Sequence, residues 1–241
     1  MQSRAEHLFI SVTRGHGKAV LRGVRHGVAP NMVLFIPAGT LFSLTLSTFS
    51  QGTLLSIPLG GSLPLPGVAR RLRLTDLYRQ RELAALIDAM QREQDAARDF
   101  HAQAAHAHAM LLAVWLRRTL HAQPSTPDPR ADQRLAAAFS DLVAREFQSG
   151  APMQAYATRL DVSPAYLARA CKSSAGMSAA AMLTARSLHA ARQALEDNSA
   201  PVGHIAEGLG FRSAAYFTRF VRRHTGFTPS QLRDTAAHHP D

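Results

Sequence analysis

Apolar and polar residues alternate through the first sixty positions of the chain. HLFISVTRG, KAVLRGVRHG, NMVLFIPAGTLFSLTL and GTLLSIPLG each carry the period of two that sends successive side chains to opposite faces of a strand. Glycines and prolines break these runs, and turns are expected at Gly15, Gly17, Gly27, Gly39 and Gly60-Gly61. The pattern predicts short antiparallel strands in a sandwich or barrel. From Leu72 to His121 the period lengthens to that of a helix. Leu77, Leu83, Ile87, Met90 and Gln94 form one stripe, and Leu111, Val114, Trp115 and Arg118 a second. Two antiparallel helices with a break near Asp99-Phe100 fit this length. Stripes of this kind are suited to cover the sheet. AQPSTPDPRAD, from Ala122 to Asp132, carries three prolines and reads as an extended, moderately stiff linker.

Beyond the linker the chain repeats itself. An offset of 50 aligns Tyr166 with Tyr216, Leu167 with Phe217, Arg169 with Arg219, Lys172 with Arg222 and Gly176 with Gly226. Upstream, Ala157 matches Ala206 at an offset of 49. A fixed offset of this kind marks two copies of one structural unit. Each copy reads as helix, tight turn, helix. Ser163-Pro164 and Ser213 supply the N-terminal signals of the second helices, and Gly210 permits a positive φ in the second turn. On a helical projection of GFRSAAYFTRFVRRHTG, Phe217, Phe220, Val221 and His224 share the side suited to a core. Ala215, Thr218, Arg219 and Arg222 share the other, with Arg223 at its edge. The layout is that of a helix-turn-helix, whose second helix enters the major groove of DNA.

The residues from Ile205 to Arg233 resemble the DNA-binding domain of the AraC/XylS family of bacterial transcription regulators. The resemblance rests on Ile205-Ala206, Gly210-Phe211, Tyr216-Phe217, Arg219, Arg222-Arg223, Gly226, Thr228-Pro229 and Arg233. The first unit matches more loosely, through Ala157, Val162-Ser163, Tyr166-Leu167, Arg169, Lys172, Gly176 and Ser178. It departs at Cys171, where the family has phenylalanine. In the connecting helix, read over Ser187 to Glu196, the family's arginine falls one residue early, at Arg186. FIPAGTLFSL, from Phe35 to Leu44, resembles the cupin-like sensor barrel that precedes this domain in many members. The resemblance implies an α+β chain of two domains: a short cupin-like barrel over 1–71 with a helical hairpin over 72–121, a linker over 122–132, and an all-α domain over 133–241 with two helix-turn-helix units. Residues expected at DNA are Ser163, Ala165, Ala168, Arg169 and Lys172 in the first unit. In the second they are Arg212, Ser213, Ala215, Thr218, Arg219, Arg222 and Arg223. Arg169 and Arg219 are the expected base readers; Lys172, Arg222 and Arg223 are the expected phosphate contacts.

Charge agrees with a nucleic-acid partner but does not locate it. The chain has 27 Lys and Arg against 17 Asp and Glu, yet only 12 of the basic residues, with 9 of the acidic ones, lie from Ala131 onward. One cysteine permits no internal disulfide and fits a reducing cytoplasm. No signal peptide or membrane-length apolar run is read. His7, His16 and His26 are too far apart for a cupin metal site, and Glu6 is the single carboxylate before Asp76. His101, His106, His108 and His121 contain no i,i+4 pair. The expectation is a regulator of transcription and not an enzyme, without metal or cofactor. Its expected partners are double-stranded DNA, RNA polymerase, a second copy of the chain and a small effector. Val12, Leu34, Ile36, Phe42 and Leu44 are the candidate effector-lining residues, because alternation turns them inward. A packed core with no ligand, a barrel that serves only dimerisation, and an enzyme tethered to DNA are the alternatives.

Overall fold

The structure is a computed structural model that describes residues 1–60, 62–96, 98–123, 128–196 and 200–237. Its first part holds seven strands: β1 (His7–Arg14), β2 (Gly17–Leu21), β3 (Val24–Val28), β4 (Met32–Ile36), β5 (Phe42–Leu46), β6 (Gln51–Ile57) and β7 (Arg70–Arg73). Two antiparallel sheets result, ordered β6-β1-β4-β7 and β3-β2-β5. Alternation dictates how they stack. Leu8, Ile10 and Val12 of β1 and Leu34 and Ile36 of β4 meet Ala19, Leu21, Val28 and Phe42 of the smaller sheet in one apolar core. The other face of the larger sheet offers Phe9, Val33, Phe35 and Leu72 to a helical hairpin, α1 (Leu77–Ala96) and α2 (His101–His121). The α+β layout with an N-terminal sheet region and a helical C-terminal part is the one expected.

Several local expectations shift. Gly17 and Gly27 lie inside β2 and β3, not in turns. The turn falls between them, at Arg22-Gly23, where both residues have positive φ (47° and 73°). This is the geometry a two-residue hairpin requires. The helical stretch expected from Leu72 begins at Leu77, because Leu72 is a strand residue buried in the sheet core. Gly61 and residues 124–127 of the expected linker lie outside the described residues.

In α1, Leu83 and Ile87 are buried against the sheet, so this part of the stripe is internal core. In α2 the buried stripe is Leu112, Trp115, Leu116 and Thr119, and Leu111 is exposed. The phase is one residue from the one expected. Leu111 and Leu112 are both apolar, and the edge-on packing of Trp115 against Phe9 goes with the phase observed.

The C-terminal part is helical: α3 (Ala131–Glu146), a 3₁₀ turn (Phe147–Ser149), α4 (Met153–Arg159), α5 (Pro164–Ala175), α6 (Ala179–Glu196), α7 (Val202–Gly208), α8 (Ala214–Thr225) and α9 (Pro229–Ala237). The connecting helix α6 is longer than read from the sequence, starting at Ala179. Leu167 of α5 and Phe217 of α8, paired by the repeat, are both fully buried in one core that also takes Phe139, Tyr156, Cys171, Leu195 and Val221. Removing side chains of this size from water contributes about 1.5–3 kcal/mol each.

The two parts of the chain dock. Val20, from the outer face of the smaller sheet, and Leu41, just before β5, belong to the helical core. The tip of the β2–β3 hairpin enters between α3 and α5. There Arg22 donates from Nε and Nη2 to the two carboxylate oxygens of Asp141 at 3.0 and 2.5 Å. Ser174 Oγ donates to the carbonyl of Gly23 at 2.8 Å, in a buried position. A Cβ on Gly23 would stand 2.5 Å from the carbonyl oxygen of Ala136, so the close approach itself requires glycine.

Candidate nucleic-acid interface

The two repeat units fold alike to the level of single hydrogen bonds. Ser163 Oγ accepts from the amide of Tyr166 at 3.2 Å, and Ser213 Oγ accepts from the amide of Tyr216 at 3.2 Å. Both serines thus cap the helices they precede, and Pro164 occupies the first turn of α5. At the other ends, Gly176 and Gly226 adopt φ of 79° and 81° and donate their amides to the carbonyls of Lys172 and Arg222. The tight turns also match. Asp161 has φ 54° where Gly210 has φ 77°, and the amides of Val162 and Phe211 return to the carbonyls of Ala157 and Ala206 at 3.0 and 2.9 Å. The offset of 49 in this region therefore describes one turn geometry reached by two different residues.

Burial sorts the faces. In α5, Leu167, Ala170, Cys171 and Ser174 point into the core, and Ala165, Arg169 and Lys172 are exposed. In α8, Phe217 and Val221 are buried, and Ala215, Arg219, Arg222 and Arg223 are exposed. Ser163, Arg212 and Ser213 are exposed at the leading ends, and Ala168 and Thr218 are half-buried at the margins. His224, expected on the core side, is exposed and touches the ring of Phe220. Each outward arginine stands over an outward tyrosine of its own helix: Arg169 is 5.9 Å from the Tyr166 ring centre and Arg219 is 6.0 Å from that of Tyr216. The stacking is present twice at equivalent positions. It orients a long cation one turn from a capped helix N-terminus, where backbone amides attract phosphate. The arginines, but not the tyrosines that the repeat also pairs, were expected at DNA from the sequence, although an aromatic three residues before an arginine in both copies was legible.

Arg233, which carries the resemblance, and Cys171 and Arg186, where the chain departs from it, serve the fold instead. Burial pushes the Cys171 thiol up to about 12, so it stays protonated as a core group. Arg186 lays its guanidinium on the ring of Phe147 at 3.9 Å, with Nε and Nη1 buried and without hydrogen-bond partners, and burial lowers it to about 10. Arg233 Nη2 donates to the carbonyl of Ala200 at 2.7 Å and so ties α9 to the entrance of α7. Of the candidate effector residues, Val12, Leu34, Ile36 and Phe42 are fully buried between the sheets and Leu44 packs beside them. Among the described residues no group of three or more His, Cys, Asp and Glu side chains is placed to hold a metal ion. Among the described residues no helix is long and apolar enough to cross a membrane.

Twin capped helices with exposed arginines on one shared helical core have the layout of a helix-turn-helix DNA-binding protein. A family profile described as a helix-turn-helix domain matches residues 156–235, which spans both units. The C-terminal domain of AraT, a response regulator from Geobacillus stearothermophilus, is 30% identical over 42% of this chain and 84% of that one, with a TM-score of 0.39. The C-terminal domain of the response regulator yesN from Fusobacterium nucleatum is 22% identical over 39% of this chain and 93% of that one, with a TM-score of 0.38. Wild-type ToxT from Vibrio cholerae, solved with an unsaturated fatty acid bound, is 14% identical over 96% of this chain and 87% of that one, with a TM-score of 0.44. Among curated proteins none matches the chain. Residues 156–235 thus carry the AraC-type helix-turn-helix domain of the AraC/XylS family of DNA-binding transcriptional regulators.

Proposed function

We propose that this regulator reads an operator of two half-sites with α5 and α8, and that an effector held by the N-terminal part controls it. The observation that carries the reading is the duplicated Tyr166–Arg169 and Tyr216–Arg219 arrangement on capped, exposed helices. Arg169 and Arg219 read base edges, with guanine N7 and O6 as the natural partners of a guanidinium fork. Arg212 and Thr218 support the second reader, and Ala165, Ala168 and Ala215 allow close approach or touch a thymine methyl. Lys172, Arg222 and Arg223 hold phosphates, and Ser163 and Ser213 present helix N-termini to them. We assign 1–121 to a sensor and dimerisation domain, 122–132 to the linker and 133–241 to the DNA-binding domain. The chain works as a cytoplasmic homodimer that engages RNA polymerase and performs no catalysis of its own.

The test is quantitative binding to a randomised operator library at two salt concentrations. Arg169→Ala and Arg219→Ala each weaken binding by about 1–3 kcal/mol and relax base preference in separate half-sites. Lys172→Ala and Arg222→Ala weaken all sequences alike and lower the salt slope. Uniform loss with unchanged base preference in both arginine variants would move specificity to other residues or to DNA shape.

A further inference from the structure

The two sheets leave one edge of the sandwich open, between β3 and β7, and the C-terminal end of α2 and the first turns of α3 stand over it. The groove enclosed there measures about 1650 Å³. Its floor includes Leu21, Leu65 and Val114, and its walls carry Arg70 and Arg71 from β7, Arg117 and Arg118 from α2, and Arg134 from α3. Among the described residues lining it, Asp141 is the single carboxylate, and Arg22 already occupies it through two hydrogen bonds. Arg70, Arg71, Arg117 and Arg118 make no ion pair with any carboxylate among the described residues; Arg134 donates to the carbonyl of Pro129 at 2.5 Å.

A row of arginines along one helix is ordinary solvated surface. Here the five come from three separate elements on opposite walls of one cleft. Like charges brought together this way raise the potential inside a groove with low-dielectric walls, and an anion relieves it. The guanidinium fork meets carboxylate and phosphate oxygens in pairs. We propose that this groove binds a small organic molecule carrying two or more anionic groups, with its apolar portion on Leu21 and Val114, and that the bound molecule bridges the sensor sheet and α3.

The volume exceeds that of the usual small-molecule pocket, about 300–1,000 Å³, which fits an elongated or multiply charged ligand better than a single inorganic ion. The same groove reaches Arg22, at the hairpin tip that docks on α3 and α5, so occupancy and docking share residues. The regulatory consequence rests on the DNA-binding reading above; the binding itself does not.

Isothermal titration of the full-length protein with inorganic tripolyphosphate and with citrate tests this. Both probes bind wild type, and Arg71→Gln/Arg118→Gln weakens them at least tenfold. Arg219→Ala/Arg222→Ala, on α8 and outside the groove lining, leaves them unchanged. Matched circular dichroism and melting temperatures show that the groove variant is folded; the single variant Arg117→Gln serves if it is not. Absence of probe binding, or equal binding to wild type and both groove variants, overturns the proposal. So does loss in the DNA-face variant alone, which assigns the anions to the recognition helices. A parallel DNA titration separates a third case. If the groove variant lowers DNA affinity and the salt slope while probe binding is unchanged, the groove is a DNA-backbone contact and holds no small-molecule site. Failure of Arg169→Ala and Arg219→Ala to alter DNA binding would sink the operator reading and leave the probe result standing.

Discussion

Replacing Gly23 by alanine tests whether the hairpin tip is what joins the N-terminal sheets to the DNA-binding helices. Two costs arise at the one position. The native φ of 73° is left-handed, and a side chain there costs about 1–2 kcal/mol. The new Cβ also meets the carbonyl oxygen of Ala136 at 2.5 Å, and that oxygen belongs to the backbone of α3 and cannot swing aside. Overpacking of this kind costs about 1–3 kcal/mol. If the tip withdraws, the Ser174–Gly23 hydrogen bond is lost as well, about 0.5–1.5 kcal/mol. The Arg22–Asp141 pair is half-exposed and adds less than about 1 kcal/mol. Docking therefore weakens by about 2–5 kcal/mol, roughly thirtyfold to a few thousandfold. The sheets and the helical core each keep their own contacts, so the loss appears as separation of the parts, not as global unfolding. Hydrogen exchange should speed up at β2, β3 and the facing turns of α3 and α5, and small-angle scattering should report a larger radius of gyration. Gly27→Ala in the neighbouring strand is the control, because its added Cβ meets nothing within 4 Å. Unchanged exchange and size in Gly23→Ala, matching the Gly27→Ala control, would refute the docking argument.

Two further outcomes follow from burial. Leu83→Ala should lower global stability by about 2–5 kcal/mol in denaturant titration while leaving the sedimenting mass unchanged, because Leu83 packs against the sheet; a lower association state at constant stability would contradict its place in the core. His189 is held down to about 4, first by burial and then by Arg186, Arg4, the N-terminal amine and Arg192, so above 6.5 its contribution to stability is complete, and as pH falls from 6.5 toward 4 the unfolded chain takes up a proton that the folded one refuses and stability declines. His26, lowered by burial and Arg71, and His7, lowered by burial, act in the same direction, so His189→Gln should flatten part of the melting-temperature curve over that window, and an unaltered curve would refute the assignment.

Where local chemistry decides a feature, the sequence was enough to find it. The serine caps, the Gly210 turn and the outward arginines are all settled within a few residues of themselves, and the duplication at an offset of 50 supplied a second reading of each. The phase of α2 was not, because Leu111 and Leu112 both suit a core and the choice depends on packing with a sheet distant in the chain. β7 was missed for a similar reason. Arg70, Arg71 and Arg73 carry the strand's charge, and only Leu72 reaches the core, so four residues held no usable period. Gly23 had a local signal, an X-Gly pair between the apolar runs KAVL and V, that read equally as one more strand residue. The groove is invisible in sequence because its arginines are separated by up to 64 positions, Arg70 to Arg134, and meet only through tertiary docking.

Under the proposed function, the docked tip is the point at which effector control would enter. Ser174, which holds the Gly23 carbonyl, lies in α5 five residues after Arg169 and on the buried side of the same helix. A capped helix of twelve residues moves as one body, so displacing the tip displaces the Arg169 end with it. α8 packs on α6, α7 and α9 instead, and reaches the N-terminal sheet through α6 and the shared core. A ligand can shift this arrangement only by as much as it prefers one docking state over the other. A groove ligand touching Arg22 on one wall and Arg134 on the other has such a preference, because undocking pulls its contacts apart. Control by this route acts on the first recognition helix before the second. Its signature, under the proposed operator reading, is an effector-dependent change in affinity concentrated in the half-site assigned to Arg169. Equal changes in both half-sites would instead place the moving element at α6, the helix the two units share.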